Sequence, residues 1–131
     1  MAPKKLLLAE DDLDDQDLFH EYLKHRKEVI LLPIAENGVA LFDYLQTITD
    51  NERLPDLIVL DQNMPKRNGV QTLKLLKETA PYKHIPVVVY STYADEALLK
   101  TCAKTGASLV VPKPISKEGY HEMLDSFLKV I

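Results

Sequence analysis

Cysteine is nearly absent from the 131 residues of this chain, and Cys102 is the only one. A single cysteine excludes a disulfide bond within the chain, and such sparing use is typical of proteins in a reducing cytosol. Cys102 shares a helical pattern with Leu98, which predicts a small core residue rather than a reactive thiol.

Positive charge is also in short supply, because 16 lysines and arginines face 20 aspartates and glutamates. A net charge of −4 without a basic stripe argues against nucleic-acid binding. Long apolar runs are missing as well, so the sequence predicts no membrane-spanning segment. The first residues lead into an acidic cluster without a small-residue cleavage site. We therefore expect no signal peptide and a cytoplasmic protein.

What the sequence does contain is an alternation of apolar runs with helical patterns. It has no repeats, low-complexity tracts or linkers, so we expect one domain over residues 1–131 with no output domain. Turn and capping residues support the alternation: Asn37, Asn68 and Ser116 precede helices, and Gly106 follows one. The predicted strands cover residues 5–9, 29–34, 57–60, 85–90 and 109–111, and the predicted helices cover 13–27, 38–48, 70–80, 94–105 and 117–130.

Alternating strands and helices indicate a parallel sheet with helices on both faces. Pro33 falls inside the second predicted strand, and proline is tolerated mainly on edge strands. This position favours a doubly wound α/β fold with the strand order 2-1-3-4-5. Strands one and three then flank a crevice at their carboxyl ends, which is where ligands bind in such sheets.

Polar residues end each central strand at that same edge. Glu10 and Asp11 follow the first strand and Asp61 closes the third. Ser91 closes the fourth, and Lys113 follows the fifth. Two neighbouring carboxylates repel each other by about 1 kcal/mol in water and roughly 4 kcal/mol at an effective dielectric constant of 20. Lys113 offsets only part of this repulsion, so the pattern predicts a divalent cation, and Mg²⁺ suits all-oxygen ligands.

A hydroxyl and an ammonium beside a metal-binding acidic centre are suited to a phosphoryl group. Metal, lysine and serine would each face one of its three oxygens. Asp61 would be the nucleophile, because a carboxylate can attack phosphorus to form an aspartyl phosphate. Glu10 and Asp11 would hold the metal.

These residues resemble the receiver domain of two-component response regulators over essentially the whole chain. Glu10-Asp11 is similar to the acidic pair of that family and Asp61 to its phosphoacceptor, with Met64-Pro65 and Gly69 completing the loop signature. Ser91 matches the switch Ser/Thr, and Lys113-Pro114 matches the invariant lysine followed by a cis proline. The resemblance implies the flavodoxin-like (βα)5 fold and a Mg²⁺ ligand in the backbone carbonyl of Asn63.

The resemblance also implies a signalling role. The chain would take a phosphoryl group from a sensor histidine kinase or phosphotransfer protein, and would catalyse both that transfer and its own dephosphorylation. It would then bind a downstream protein differently, and homodimerisation is common in the family. Exposed residues near Leu13, Asp17 and Ile115 are expected to meet the kinase. No nucleic-acid or membrane contact is expected.

Two residues depart from the family pattern. Val110 stands three positions before Lys113, where the family often has an aromatic residue coupled to the switch hydroxyl. Tyr90 does not replace that residue, because strand alternation directs it away from Ser91. Tyr93 is bulky and follows the switch position by two residues, which suggests that it limits the access of attacking water.

Other interpretations remain. Asp12, Asp14 and Asp15 are read as capping residues and as charges that complement the dipole of the first helix. A pseudo-receiver would bind partners without phosphorylation. An aspartate-nucleophile phosphatase would share the covalent chemistry, but it usually carries D-x-D after the first strand together with a cap domain. A flavodoxin-like cofactor binder would need a phosphate loop in place of this acidic one.

Overall fold

The chain folds as five strands that alternate with five helices, described for residues 2–131 in a computed structural model. Single 3₁₀ turns at Asn51–Arg53 and Tyr82–His84 precede the third and fourth strands. The strands are β1 (Lys4–Ala9), β2 (Val29–Leu31), β3 (Leu57–Asp61), β4 (Val87–Ser91) and β5 (Leu109–Pro112), and the helices are α1 (Leu13–Leu23), α2 (Gly38–Gln46), α3 (Gly69–Glu78), α4 (Glu96–Thr105) and α5 (Lys117–Lys129).

The strands form one parallel sheet in the order β2-β1-β3-β4-β5. The predicted doubly wound, flavodoxin-like fold and its strand order are therefore confirmed. The order changes direction between β1 and β3, so the carboxyl ends of these two strands border the crevice of the sheet.

Two element boundaries differ clearly from the prediction, and the others agree to within two residues. β2 ends at Leu31 instead of continuing to residue 34, because the regular pairing with β1 is lost around Pro33: the Leu32 N–H donates to the Leu6 carbonyl, and the next donor to β1 is the Ala35 N–H. α1 ends at Leu23 instead of residue 27. The chain turns there, and the Arg26 N–H donates to the Leu23 carbonyl in a tight turn.

The sheet has a packed apolar layer on each face. On one face, β1 and β3 residues such as Leu7 and Ile58 pack with α2, α3 and α4. On the other, Leu8 and Val59 pack with α1 and α5 through Phe19 and neighbouring residues. Each fully buried side chain of this size stabilises the fold by about 1.5–3 kcal/mol. These two layers fix the position of the strand ends.

Helix ends follow the predicted signals. The side chains of Asn37, Asn68 and Ser116 accept backbone N–H groups at the starts of α2, α3 and α5. Gly106 ends α4 with φ = 108°, a left-handed conformation that glycine adopts without steric cost. Within residues 2–131, none of the helices has both the length and the apolar character needed to cross a bilayer.

Candidate phosphoryl and metal site

Three predicted carboxylates meet at the carboxyl edge of the sheet. One oxygen from each of Glu10, Asp11 and Asp61 lies within 4.8 Å of the other two. Glu10 and Asp61 are buried, with 0% and 2% of their surface exposed, whereas Asp11 faces solvent. The central strands deliver these residues, because β1 ends at Ala9 and β3 ends at Asp61.

Lys113 reaches this cluster from the end of β5. Its Nζ lies 3.1 Å from Glu10 Oε1 and 3.4 Å from Asp61 Oδ2. The Lys113 N–H also donates to the Ser91 carbonyl at 2.9 Å, which fixes the end of β5 beside the end of β4. The structure therefore brings together the lysine, the acidic pair and the candidate phosphoacceptor.

Asp15 is the carboxylate nearest to Lys113, and the sequence analysis did not predict this contact. Asp15 Oδ2 lies 2.8 Å from Lys113 Nζ, so its role extends beyond the helix dipole. Asp12 does behave as predicted, since its side chain accepts the N–H groups of Asp14 and Asp15 as the N-cap of α1. Its position in the sequence could have indicated the contact, because Asp15 lies in the first turn of a helix that begins at the same edge of the sheet as the site.

Tyr90 is the second residue that the sequence interpretation missed. It packs with Val59 and Phe19 on the α1/α5 side of the sheet, opposite the layer that holds Val87 and Val89, as strand alternation predicts. Its hydroxyl donates a hydrogen bond to Glu10 Oε1. A buried tyrosine at a strand end next to an acidic crevice was the signal, because its hydroxyl requires a polar partner.

The loop after β3 holds Asp61 in place. The Asn63 N–H donates to Asp61 Oδ1 at 3.2 Å, and the Gly69 N–H donates to the Gln62 carbonyl at 3.2 Å. A Cβ on Gly69 would lie 2.8 Å from the Asp61 carbonyl oxygen. The loop therefore approaches the start of α3 so closely that only glycine fits at this position without a shift of the backbone. The backbone carbonyl of Asn63 as a metal ligand stays a prediction.

Ser91 is buried at the end of β4, and its Oγ accepts the Tyr93 N–H at 3.3 Å. The Tyr93 side chain is 79% exposed, and its proposed effect on water access stays a prediction. Val110 is half-buried against the α2/α3/α4 layer.

The peptide bond before Pro114 is trans, so the expected cis proline was wrong. The cis bond within residues 2–131 precedes Pro81 instead.

Electrostatics at this edge favour a cation. Burial raises the pKa of Glu10 to about 8, and the hydrogen bond and charge of Asp61 act in the same direction. Burial opposes the charge of Lys113, but Asp15, Glu10 and Asp61 outweigh it and raise the pKa of this ammonium above its ordinary value. Glu10 and Asp61 therefore oppose each other's charged form at a buried position, and a bound cation would stabilise both carboxylates.

The donor set fits a hard divalent ion. Its candidate ligands are carboxylate oxygens, and Mg²⁺ and related ions prefer oxygen ligands. Asp11 faces solvent, which leaves room for the water molecules that Mg²⁺ retains. Sulfur and imidazole ligands are missing from the cluster, so its chemistry does not suit zinc.

Comparison with known proteins assigns the family. The sequence model of the response regulator receiver domain matches residues 6–125, and the chain belongs to this family of signalling proteins. Response regulator Rcp1 of Synechocystis sp. is 38% identical over 96 residues, which covers 72% of this chain and 65% of Rcp1. The polar-differentiation response regulator DivK of Brucella anthropi is 26% identical over 126 residues, which covers 96% of this chain and 97% of DivK.

Solved structures agree with this assignment. The phosphorylated cyanobacterial phytochrome response regulator RcpA superposes with a TM-score of 0.84 and 27% identity, covering 99% of this chain and 97% of RcpA. The Mn²⁺-bound form of Rcp1 superposes with a TM-score of 0.80 and 31% identity, covering 95% and 91% of the two chains.

Proposed function

We propose that this receiver domain accepts a phosphoryl group on Asp61 from the phosphohistidine of a sensor histidine kinase or phosphotransfer protein, in a reaction that requires Mg²⁺. The observation that carries the proposal is the placement of the buried Asp61 carboxylate 3.4 Å from Lys113 and beside Glu10 and Asp11. The phosphorylated state of RcpA and the Mn²⁺ held by Rcp1 support the same chemistry.

Each site residue then has a defined task. An oxygen of Asp61 forms the new bond to phosphorus while the bond from phosphorus to the donor histidine breaks, and its electron pair stays on the imidazole. Lys113 and the Ser91 hydroxyl face two phosphoryl oxygens. Glu10, Asp11, Asp61 and the Asn63 carbonyl would hold Mg²⁺, which neutralises phosphoryl charge when bound. Hydrolysis of the aspartyl phosphate at the same site would reset the protein.

The kinase would dock at the mouth of the crevice. Leu13, at the start of α1, and Ile115, in the loop after β5, are large apolar residues that are 71% and 102% exposed. Asp17, on the exposed side of α1, adds a charge near this rim. Phosphorylation would change contacts with a downstream protein, or the phosphoryl group would pass along a relay. Because RcpA is a phytochrome response regulator, a phytochrome-type kinase is the first donor to test.

The decisive experiment uses acetyl phosphate with Mg²⁺ and intact-mass detection. Wild-type protein is expected to gain one acid-stable, base-labile phosphoryl group, and EDTA should abolish this gain. Asp61→Asn should gain none. Asp43→Asn is the matched control, because Asp43 is an exposed carboxylate on α2 away from the site, and it should behave as wild type.

Other outcomes point to other functions. An unmodified wild type, or an equal adduct on Asp61→Asn, would contradict phosphorylation of Asp61 and favour a pseudo-receiver that binds partners without it. Sustained phosphate release from many substrates would favour a phosphatase.

A further inference from the structure

Tyr90 is placed where a core residue meets the acidic site. It is 1% exposed, and its ring centroid lies 5.6 Å from that of Phe19 in an edge-to-face contact. Lys113 Nζ lies 5.0 Å from the centroid of the same ring. The hydroxyl then extends past the apolar layer and donates to Glu10 Oε1. Packing therefore fixes the ring, and the ring fixes the position of the donor.

Every polar atom of the Glu10 side chain is engaged. Oε1 accepts Tyr90 and also Lys113 at 3.1 Å, and Oε2 accepts the Asp12 N–H at 3.1 Å. A glutamate side chain has three torsions, so an unrestrained carboxylate would sample several orientations. These three donors hold the carboxylate in one orientation, and Tyr90 is the donor supplied by the interior of the protein.

We propose that Tyr90 is a positioning residue whose hydroxyl orients Glu10 for the divalent cation. This inference rests on the metal dependence of the proposed function. Groups that hydrogen-bond to metal-binding residues set the orientation of those residues, and their removal typically weakens metal affinity about 10–100-fold. An apolar residue would fill the same space in the α1/α5 layer, so the hydroxyl is the part of Tyr90 that packing alone does not require.

The test compares Mg²⁺ affinity in two tyrosine-to-phenylalanine variants by isothermal titration calorimetry. Tyr90→Phe keeps the ring, with its Phe19 and Lys113 contacts, and removes only the hydroxyl. Tyr120→Phe is the control, because Tyr120 is also buried and its ring centroid also lies 5.6 Å from that of Phe19. Within residues 2–131, the Tyr120 hydroxyl donates to none of the site carboxylates. Urea unfolding of the metal-free proteins verifies that both variants fold.

Tyr90→Phe is expected to weaken Mg²⁺ binding at least tenfold, and Tyr120→Phe to stay within about twofold of wild type. The loss should also disappear in a Glu10→Ala background, because Tyr90 acts through Glu10. Unchanged or tighter binding by Tyr90→Phe, or an equal loss in both variants, would overturn the positioning role alone. Wild-type protein that binds no Mg²⁺ would overturn this role and the metal dependence together.

Discussion

At the scale of single residues, Lys113 connects the acidic residues of the site. Its ammonium contacts three carboxylates, and Asp15 is the nearest of them, at 2.8 Å. Lysine has three N–H donors, and hydrogen bonds to Asp15 and Glu10 use two of them. The ammonium is therefore held beside Asp61 with donor capacity left for a phosphoryl oxygen.

Asp15→Asn should lower the free energy of unfolding by about 1–2 kcal/mol at neutral pH, because it weakens a charge-assisted hydrogen bond to a largely buried lysine. Urea denaturation without metal measures the change. Asp14→Asn is the control, since Asp14 occupies the same first turn of α1 and is exposed, and it should lose less. Equal losses would show that only the helix dipole matters. A gain for Asp15→Asn would show that repulsion among the carboxylates outweighs the pairing with Lys113.

Much of the candidate site follows from the sequence, because strand-end positions alone bring Glu10, Asp61 and Lys113 to one edge. Asp15 and Tyr90 do not follow from position. Their contacts depend on side-chain length and rotamer, and alternation gives the direction of Tyr90 without revealing that its hydroxyl reaches Glu10. The trans bond before Pro114 was also beyond the sequence, since the local residues alone do not select the isomer.

At the scale of elements, the start of α3 and the end of β3 are in direct backbone contact. The side chain of Asn68 caps α3, and Gln71 accepts the Asn68 N–H in return, so the helix begins at a fixed point. Gly69 follows at once against the Asp61 carbonyl. The candidate phosphoacceptor is thereby tied to the first turn of a helix.

Gly69→Ala should destabilise the fold by about 1–3 kcal/mol, because its Cβ would meet the backbone of Asp61 and Gln62 at 2.8–2.9 Å. Thermal and urea unfolding check this prediction. Gly119→Ala in α5 is the matched control, since the nearest atoms to its Cβ would be side-chain atoms, Ser116 Oγ at 3.1 Å and Pro114 Cβ at 3.3 Å, instead of backbone atoms under 3 Å. If both substitutions had the same small effect, the close approach at Gly69 would not be a constraint.

Cys102 on α4 should resist modification by a thiol reagent in the native protein and react on unfolding. It is 0% exposed, and burial raises the pKa of its thiol. Time courses with Ellman's reagent measure the rates. A Cys102→Ser, Ala103→Cys variant is the control, because residue 103 lies on the exposed side of the same helix. Rapid native labelling of Cys102 would contradict its assignment to the core.

The element pattern was predictable because each strand is a continuous apolar run bounded by turn residues. The two displaced boundaries have local causes that the apolar pattern does not contain. The donors of the second strand to β1 shift by one residue around Pro33, from Leu32 to Ala35, and the segment after Leu23 leaves the helix for a turn closed by Arg26.

At the scale of the whole molecule, the acidic edge carries a folding cost that a cation would relieve. Burying Glu10 and Asp61 beside each other is unfavourable for both charges, and the raised pKa of Glu10 reflects this. A ligand that binds only the folded state stabilises it by RT ln(1 + [L]/Kd).

Mg²⁺ at ten times its Kd should therefore raise stability by about 1.4 kcal/mol and the melting temperature by roughly 5 °C. Differential scanning calorimetry with and without EDTA measures the shift. Asp11→Asn should abolish most of the Mg²⁺-dependent shift, whatever its own melting temperature in EDTA, and Asp43→Asn should retain it. A shift retained in Asp11→Asn would place the cation elsewhere.

The Ser91 hydroxyl could bind a phosphoryl oxygen without losing a hydrogen bond that it already makes. Its oxygen accepts the Tyr93 N–H, and this is its one side-chain hydrogen bond within residues 2–131. A hydroxyl has a single proton to give. Among the described residues this proton makes no hydrogen bond. A phosphoryl oxygen on Asp61 could therefore accept it without breaking an existing hydrogen bond. The new hydrogen bond would stabilise the phosphorylated state by about 1.5–3 kcal/mol, the usual value of a hydrogen bond to a charged group. Removal of the phosphoryl group would return the hydroxyl to its starting state.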